Sequence, residues 1–530
     1  MMPMTPASER TAEERAHSFL EKASHFQLGH LPTESRHPKT TRLSHLAKED
    51  LAGAIRLFQT VEIEALESAL PSNIGFISEM SADIAETLEH GGRVFFCGCG
   101  ATGRLSLSLE TLWREETTRL GRADLLDSVI SFIAGADYAL VRSIENFEDY
   151  PAYGARQLLD LGFSENDLLV GTSEGGETPF VIGAVEEAAK ASKRRPYFLF
   201  CNPADLLAKT VERSRRVIEN PNIRTTALET GPMALAGSTR LQATTTLMLA
   251  TGAALFSTLD KNGTPQTLIN DFVRILREAD FVPLAPLIER EADIYRRGSY
   301  CIHRTDRYGI TVLTDTTERS PTFSLLPFEN TFETNPRLSW TYLIHCDAKD
   351  ANESWEKILG RKPRALDWPE FRENFGNSKL SGFDFSPHSL ERRSQIVGPD
   401  QLHVFDVFSQ NDGFVLHLDG KEARFKRPSH LLNEHLLLKV ALNISSTLTM
   451  GRLDRFSGNL MLYVRAANNK LVDRAIRYVR ILLDDAGIRK FSYDEICLEL
   501  FRTVETIAPD EPAVWRTFER LRERAAMPEH

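Results

Sequence analysis

Residues 92–113 read GRVFFCGCGATGRLSLSLETLW, and residues 298–319, 206 positions later, read GSYCIHRTDRYGITVLTDTTER. Gly92 pairs with Gly298 and Gly103 with Gly309, on either side of the apolar runs Val94–Cys97 and Ser299–His303. The first copy is an all-apolar strand, a glycine loop and a helix. A strand with no polar alternation is covered on both faces. The second copy has lost the glycine loop and carries Glu318 where the first has Leu112. One half is therefore built to hold a phosphate and the other to offer a carboxylate, which points to one composite site.

Outward from these copies, apolar runs alternate with helix-like stretches. Val129–Ala134, Leu168–Gly171 and Tyr197–Cys201 alternate with Tyr153–Leu159 and Val181–Ala191. That order predicts an α/β fold with a parallel sheet and right-handed crossovers. Ile74, Ile77, Met80, Ile84 and Leu88 recur at helical spacing before the first strand. The second half restarts with a helix at Leu284–Arg296, and Thr341–Cys346, His403–Phe408 and Val415–Leu418 extend its sheet. From His430 the pattern is helical, most clearly over Leu460–Leu483, and reads as a cap. The divisions expected are an N-terminal arm (1–45), a first domain with phosphate-type loops (46–260), a divergent second domain (261–450) and a helical C-terminal cap (451–530). Lys349–Arg393 is polar and carries no assignable period.

At 530 residues the chain exceeds what one core fills, and 42% hydrophobic with 26% charged residues is ordinary for a globular protein. A net charge of −11 argues against nucleic-acid or anionic-membrane partners. Six cysteines without framework spacing read as free thiols in a reducing compartment, and the expected location is cytoplasmic. Cys97 and Cys99 lack the second ligand pair a metal site needs, so no metal is expected. The charged N-terminus does not read as a signal peptide. Leu241–Leu259 is the most apolar long stretch, but its threonines favour a buried helix over a membrane span.

Gly98-Cys-Gly100-Ala-Thr-Gly103 lets backbone amides and a helix N-terminus face an anion. Its spacing also fits a dinucleotide loop, which requires an acid after the next strand. Asp124 and Asp127 precede that strand, leaving Asp137 as the candidate. A turn that merely needs small residues is the plainer alternative. Two further loops, Gly171-Thr-Ser173-Glu-Gly-Gly-Glu-Thr-Pro179 and Ala236-Gly-Ser238-Thr239-Arg240, offer hydroxyls at the same expected sheet edge and favour a phosphate. The candidate binding residues are Gly100, Thr102, Gly103, Ser173, Ser238 and Thr239.

The chain resembles the N-acetylmuramic acid 6-phosphate etherases and the related glucokinase regulatory protein, both built from sugar isomerase (SIS) domains. The resemblance runs through Leu31-Pro-Thr-Glu-Ser-Arg-His-Pro, the GCGATGRL loop, Ile133-Ala-Gly, Glu145-Asn-Phe-Glu148-Asp149, Cys201-Asn-Pro203, Gly237-Ser-Thr-Arg240, Asp315-Thr-Thr-Glu318, Gly458-Asn-Leu-Met461 and Asn469-Lys470-Leu471. It implies two flavodoxin-like SIS domains in tandem, arranged as in the regulatory protein and making a monomeric pseudo-dimer plausible. In the etherases one glutamate on the helix after the glycine loop acts as acid and another acts as base. Glu318 matches the acid and Glu148 the base; Leu112 takes the acid's place in the first half. Lys470 matches a ligand-facing lysine, whereas Gln242 stands where both relatives carry lysine, and Ala101 replaces a hydroxyl. Arg104 and Arg240 are open between ligand contact and pairing with carboxylates.

The function implied is an etherase-type lyase working without metal or organic cofactor. The alternative is a non-catalytic sensor of a fructose phosphate that controls a sugar kinase, since the same glutamates occur in the regulatory protein. An isomerase would need a ring-opening histidine, and His303 and His345 fall on apolar strands that favour a core role.

Overall fold

The computed structural model describes residues 11–527 except 27, 143, 145, 146, 261, 262, 465–467, 509 and 510. Five parallel strands form the first sheet: β1 (Val94–Gly98), β2 (Val129–Ile133), β3 (Leu168–Thr172), β4 (Tyr197–Phe200) and β5 (Arg224–Ala227). Their order is β2-β1-β3-β4-β5, and every residue of β1 to β4 is buried, as apolar strands between helical layers should be. In this flavodoxin-like order the ligand crevice lies beyond the carboxyl ends of the strands, where β1 parts from β3.

The second sheet departs from an all-parallel reading. Its strands β6 (Tyr300–Thr305), β7 (Thr341–His345), β8 (Leu402–Gln410), β9 (Gly413–Leu418) and β10 (Lys421–Lys426) are ordered β10-β9-β8-β6-β7. β7 and β8 run parallel to β6, but β8, β9 and β10 form an antiparallel meander. Asp419 and Gly420, at φ +47° and +78°, make the two-residue turn between β9 and β10. Both central residues are left-handed there, as a turn matched to strand twist requires.

Four helices join the halves: α1 (Ala101–Arg119), α2 (Gln242–Phe256), α3 (Gly309–Phe323) and α4 (Leu431–Arg452). They pack on one another, α1 after β1 matching α3 after β6. All residues of α2 and nearly all of α4 are buried. A helix apolar around its whole circumference belongs in such a core, so Leu241–Leu259 is an internal helix. Among the described residues no helix is long and apolar enough to cross a membrane.

The tail differs from the helix expected over Leu460–Leu483. Leu460-Met461 pairs antiparallel with Phe456-Ser457 across a turn at Gly458-Asn459, and α5 (Asn469–Asp485) begins later. Asn468 starts α5 by accepting the Leu471 N–H at 2.9 Å. The N-terminal arm contains the helix Ala12–Leu20, with a capping box between Thr11 and Glu14, packed on Tyr493–Thr506.

Part of Lys349–Arg393 crosses from the second half to the first. Arg361 binds Asp137 at 2.6 Å and Glu110 at 3.0 Å, Arg364 binds Glu110 at 2.7 Å, and Trp368 donates to Asp160 at 2.6 Å. Asp137, the acid a dinucleotide loop would have used, is committed to this clamp. Trp368 also stacks on Phe147, beside Glu148, with ring centroids 5.8 Å apart.

Candidate functional site

A cavity of about 210 Å³ opens at the carboxyl ends of β1, β2 and β3 and is roofed by α3 and α5. Its wall contains Gly100, Thr102, Glu148, Ser238, Thr239, Glu318 and Lys470. Gly103 and Ser173 are not on it. At Gly103 an added Cβ would come within 2.3 Å of Ile133, so this glycine lets α1 pack onto β2. Ser173 bonds Thr178 at 3.0 Å and accepts the Gly176 N–H at 3.0 Å, which folds its own loop. Glu145 and Asn146 of the motif before Glu148 lie outside the described residues.

Gly100 caps α1 at φ +53°, ψ −123°, a conformation open to glycine alone. A Cβ there would meet nothing within 4 Å, so the penalty of a side chain is purely conformational. Gly100→Ala is expected to cost about 1–3 kcal/mol in denaturant unfolding. An unchanged midpoint would show that the loop does not need this conformation. The Thr102 hydroxyl is turned back onto its loop, donating to the Cys99 carbonyl and accepting the Cys99 N–H, both at 3.0 Å. Ser238, by contrast, has a buried hydroxyl without a hydrogen-bond partner.

The two matched glutamates reach the cavity from opposite halves. Glu148 Oε1 accepts from Asn468 at 2.7 Å and Oε2 from the Cys99 thiol at 3.2 Å. Burial and the Glu148 charge push that thiol well above its usual pKa, so it stays a protonated donor. Glu318 accepts from Arg104 at 2.5 Å, a buried ion pair between α1 and α3. Arg240 likewise pairs across the halves with Asp315 at 2.9 Å. Both arginines thus meet carboxylates. Gln242 is buried and accepts the Ala234 N–H at 3.1 Å, a structural contact. His303 and His345 are buried, with His303 bonded to Thr341 at 2.9 Å.

At the corresponding loop of the second half large side chains are engaged with carboxylates. Tyr308 is buried and donates to Glu434 at 2.5 Å, while Arg307 pairs with Glu115 at 2.6 Å. At the 206-residue offset Arg304 and Asp306 stand where the first half has Gly98 and Gly100.

Several charged groups around Lys470 carried no role in the sequence reading. Lys470 binds Glu177 at 2.7 Å, and Arg474 binds Glu34 at 3.0 and 2.6 Å. Burial pushes the Glu34 carboxyl up, but Arg474, Lys470 and Arg477 outweigh it and hold it well below the usual range. Burial raises Asp149 to about 6, reinforced by neighbouring Glu148. Glu174 accepts from Thr239 at 2.5 Å, and burial raises it to about 7 against the pull of Lys470. The signal for Glu174 and Glu177 was present, since both sit in a hydroxyl loop where a phosphate cradle has no use for acids.

A folded-state carboxyl at about 7 against a reference value of 4.5 binds its proton more tightly than the unfolded chain does. Its contribution to stability therefore falls as pH rises from about 4.5 through about 7. Glu174→Gln is expected to be more stable than the parent at pH 8, with the difference vanishing near pH 4.5. Paired thermal melts check this, and a parent more stable at pH 8 would contradict it.

The sequence profile of the glucokinase regulatory protein N-terminal SIS domain matches residues 76–189. The N-acetylmuramic acid 6-phosphate etherase of Crocosphaera subtropica is 35% identical over 42% of this chain and 66% of its own length. The etherase of Klebsiella aerogenes is 31% identical over 48% of this chain and 82% of its own length. The chain belongs to this etherase family. The tagatose-6-phosphate ketose/aldose isomerase of Escherichia coli aligns over 78% of this chain and 96% of its own, at 12% identity and a TM-score of 0.40. Family membership puts the repeat in context, because here one polypeptide carries two sheets and joins them through α1 to α4.

Proposed function

We propose that the chain binds a sugar phosphate and cleaves the lactyl ether of N-acetylmuramic acid 6-phosphate. The observation that carries this reading is that Glu148 and Glu318, from opposite halves, line the same cavity as the glycine loop. The phosphate lies against the loop at Gly100 and the hydroxyls of Ser238 and Thr239, with Lys470 as a nearby charge. Glu148 takes the proton from C2 of the sugar. The C3–O bond breaks, and the ether oxygen leaves as lactate after receiving a proton from Glu318. Water then adds at C3, losing a proton to Glu318, while Glu148 returns its proton to C2. Two carboxyls divide such work when their surroundings differ. They do differ: Glu148 faces an amide and a thiol, Glu318 a guanidinium. In this state Arg104 holds Glu318, so the acid role requires Glu318 to leave that contact as it takes up its proton. No metal or organic cofactor enters these steps. One chain supplies both halves of the cavity, which supports a monomeric pseudo-dimer.

The test is release of D-lactate from N-acetylmuramic acid 6-phosphate, with Glu318→Gln as control. Lactate that disappears in the variant supports the assignment; none from the parent chain sinks it.

The second reading, a fructose-phosphate sensor acting on a sugar kinase, is favoured by the regulatory-protein profile match and by the tandem sheets. It predicts that sugar phosphate binds without turnover and changes recovery of a kinase in a pull-down. Recovery of no kinase, with or without sugar phosphate, counts against it.

A further inference from the structure

Glu174 and Ser238 face the cavity, at 3% and 4% exposure, and each keeps a buried oxygen without a hydrogen-bond partner: Oε1 of Glu174 and Oγ of Ser238. Thr239, adjacent to Ser238, donates to the other Glu174 oxygen at 2.5 Å. The carboxyl therefore shares its one hydroxyl donor with the place where a phosphoryl group would be cradled. Two anions held this close are not both ionised unless cations stand between them.

The charged groups around Glu174 are already engaged. Lys470 and Arg474 approach from α5, Lys470 bound to Glu177 at 2.7 Å and Arg474 to Glu34 at 2.6 Å. Glu34 comes from the N-terminal segment and Glu177 from the loop of Glu174 itself, and both add negative charge. Tyr478 of α5 donates its hydroxyl to the Ala236 carbonyl at 2.7 Å. Cys201, after β4, has a thiol that burial and then Glu174 push up to a protonated state. No cation in this set is left over to neutralise both a Glu174 carboxylate and a phosphate dianion.

We propose that Glu174 contacts the phosphoryl group of the sugar phosphate as a neutral acid, donating a hydrogen bond from its carboxyl to a phosphate oxygen, so that the ligand binds together with one proton. This rests on the sugar-phosphate reading of the cavity and adds the proton as a second ligand. The proton passes from solvent to the carboxyl, and no covalent bond to the sugar is made or broken. Burial already raises this carboxyl to about 7, so loading it near neutrality requires little. Ser238 Oγ supplies a second, uncharged donor to the same group.

Calorimetry with N-acetylglucosamine 6-phosphate, the hydrated product of the proposed reaction with no lactyl ether left to cleave, tests this in the full chain. Titrations at pH 7.0 and 8.5 avoid the range near pH 6 where the phosphate itself takes up a proton. The expected result is a fall in affinity of about tenfold or more over this interval, since one bound proton gives up to tenfold per pH unit. Buffers of different ionisation enthalpy at pH 8.5 should report close to one proton more taken up by the parent than by Glu174→Gln, any proton gained by Glu318 being common to both. Glu174→Gln keeps a hydrogen-bond donor, and should bind tighter than the parent at pH 8.5, with a weaker pH dependence and about one proton less taken up. Parent binding that is independent of pH, without proton uptake, overturns the role of Glu174 and leaves the sugar-phosphate reading standing. Proton uptake of the same size in Glu174→Gln as in the parent also overturns it, placing the proton elsewhere. Absence of binding at either pH, in both proteins, removes the sugar-phosphate reading and this inference together.

Discussion

Glu148→Gln is expected to lower kcat for lactate release by about 10²–10⁴-fold, the usual worth of a positioned general base. The amide has nearly the shape of the carboxylate but cannot take the C2 proton. Its oxygen still accepts from Asn468, which donates to Glu148 at 2.7 Å, so the loop should keep its place. Phe147, next in the chain, remains stacked on Trp368. KM should therefore move little, since binding is left and proton transfer removed. Unchanged lactate release would eliminate Glu148 as base. Asp149, raised to about 6, would then be the next carboxyl to test.

The second large effect is on stability. Arg319 is 1% exposed and donates to Glu291 at 2.6 Å and Asp315 at 3.1 Å, with His303 at 3.3 Å. Asp315 also holds Arg240 at 2.9 Å and Ser446 at 2.9 Å, so the cluster ties the second half to the loop before α2 and to α4. Arg319→Met leaves two buried carboxylates short of their cation. The expected loss is about 3–5 kcal/mol, since removing one partner strands the other charge in a medium that solvates it poorly. Arg319→Lys should recover part of it, a single ammonium being unable to fork between two carboxylates. Denaturant unfolding of the three proteins measures this. A midpoint unchanged in Arg319→Met would mean that water reaches the cluster.

Much of the fold was legible because it rests on local rules. Continuous apolar runs marked β1 to β4, and glycine spacing exposed the repeat linking β1 and α1 to β6 and α3. The misreadings have physical causes. The helix Ala12–Leu20 hides in an unpatterned arm because its apolar face is short and gains its partner only from Tyr493–Thr506. The antiparallel meander is not legible in apolar runs because strand direction is set by connections, here the tight Asp419-Gly420 turn. Apolar spacing over Leu460–Met461 satisfied a helix as well as a strand, and Gly458 with the Asn468 cap decided between them.

The site divides along the same line. From residues alone came a glycine loop able to face an anion, a second copy without it, and, through the family resemblance, Glu148 and Glu318 as the carboxyls to watch. These depend on residue type and spacing, which a linear chain displays. Tertiary structure alone decided that Glu318 meets Arg104 across the halves, that Ser173 turns into its own loop, and that Lys470 is held by Glu177. It also decided which carboxyl sits near neutrality. Glu34, Glu174 and Glu177 are alike in sequence, but Glu34 and Glu177 have direct cation partners and Glu174 has a hydroxyl. Charge state follows from burial and from distances to charges far along the chain, and those exist only once the chain has folded.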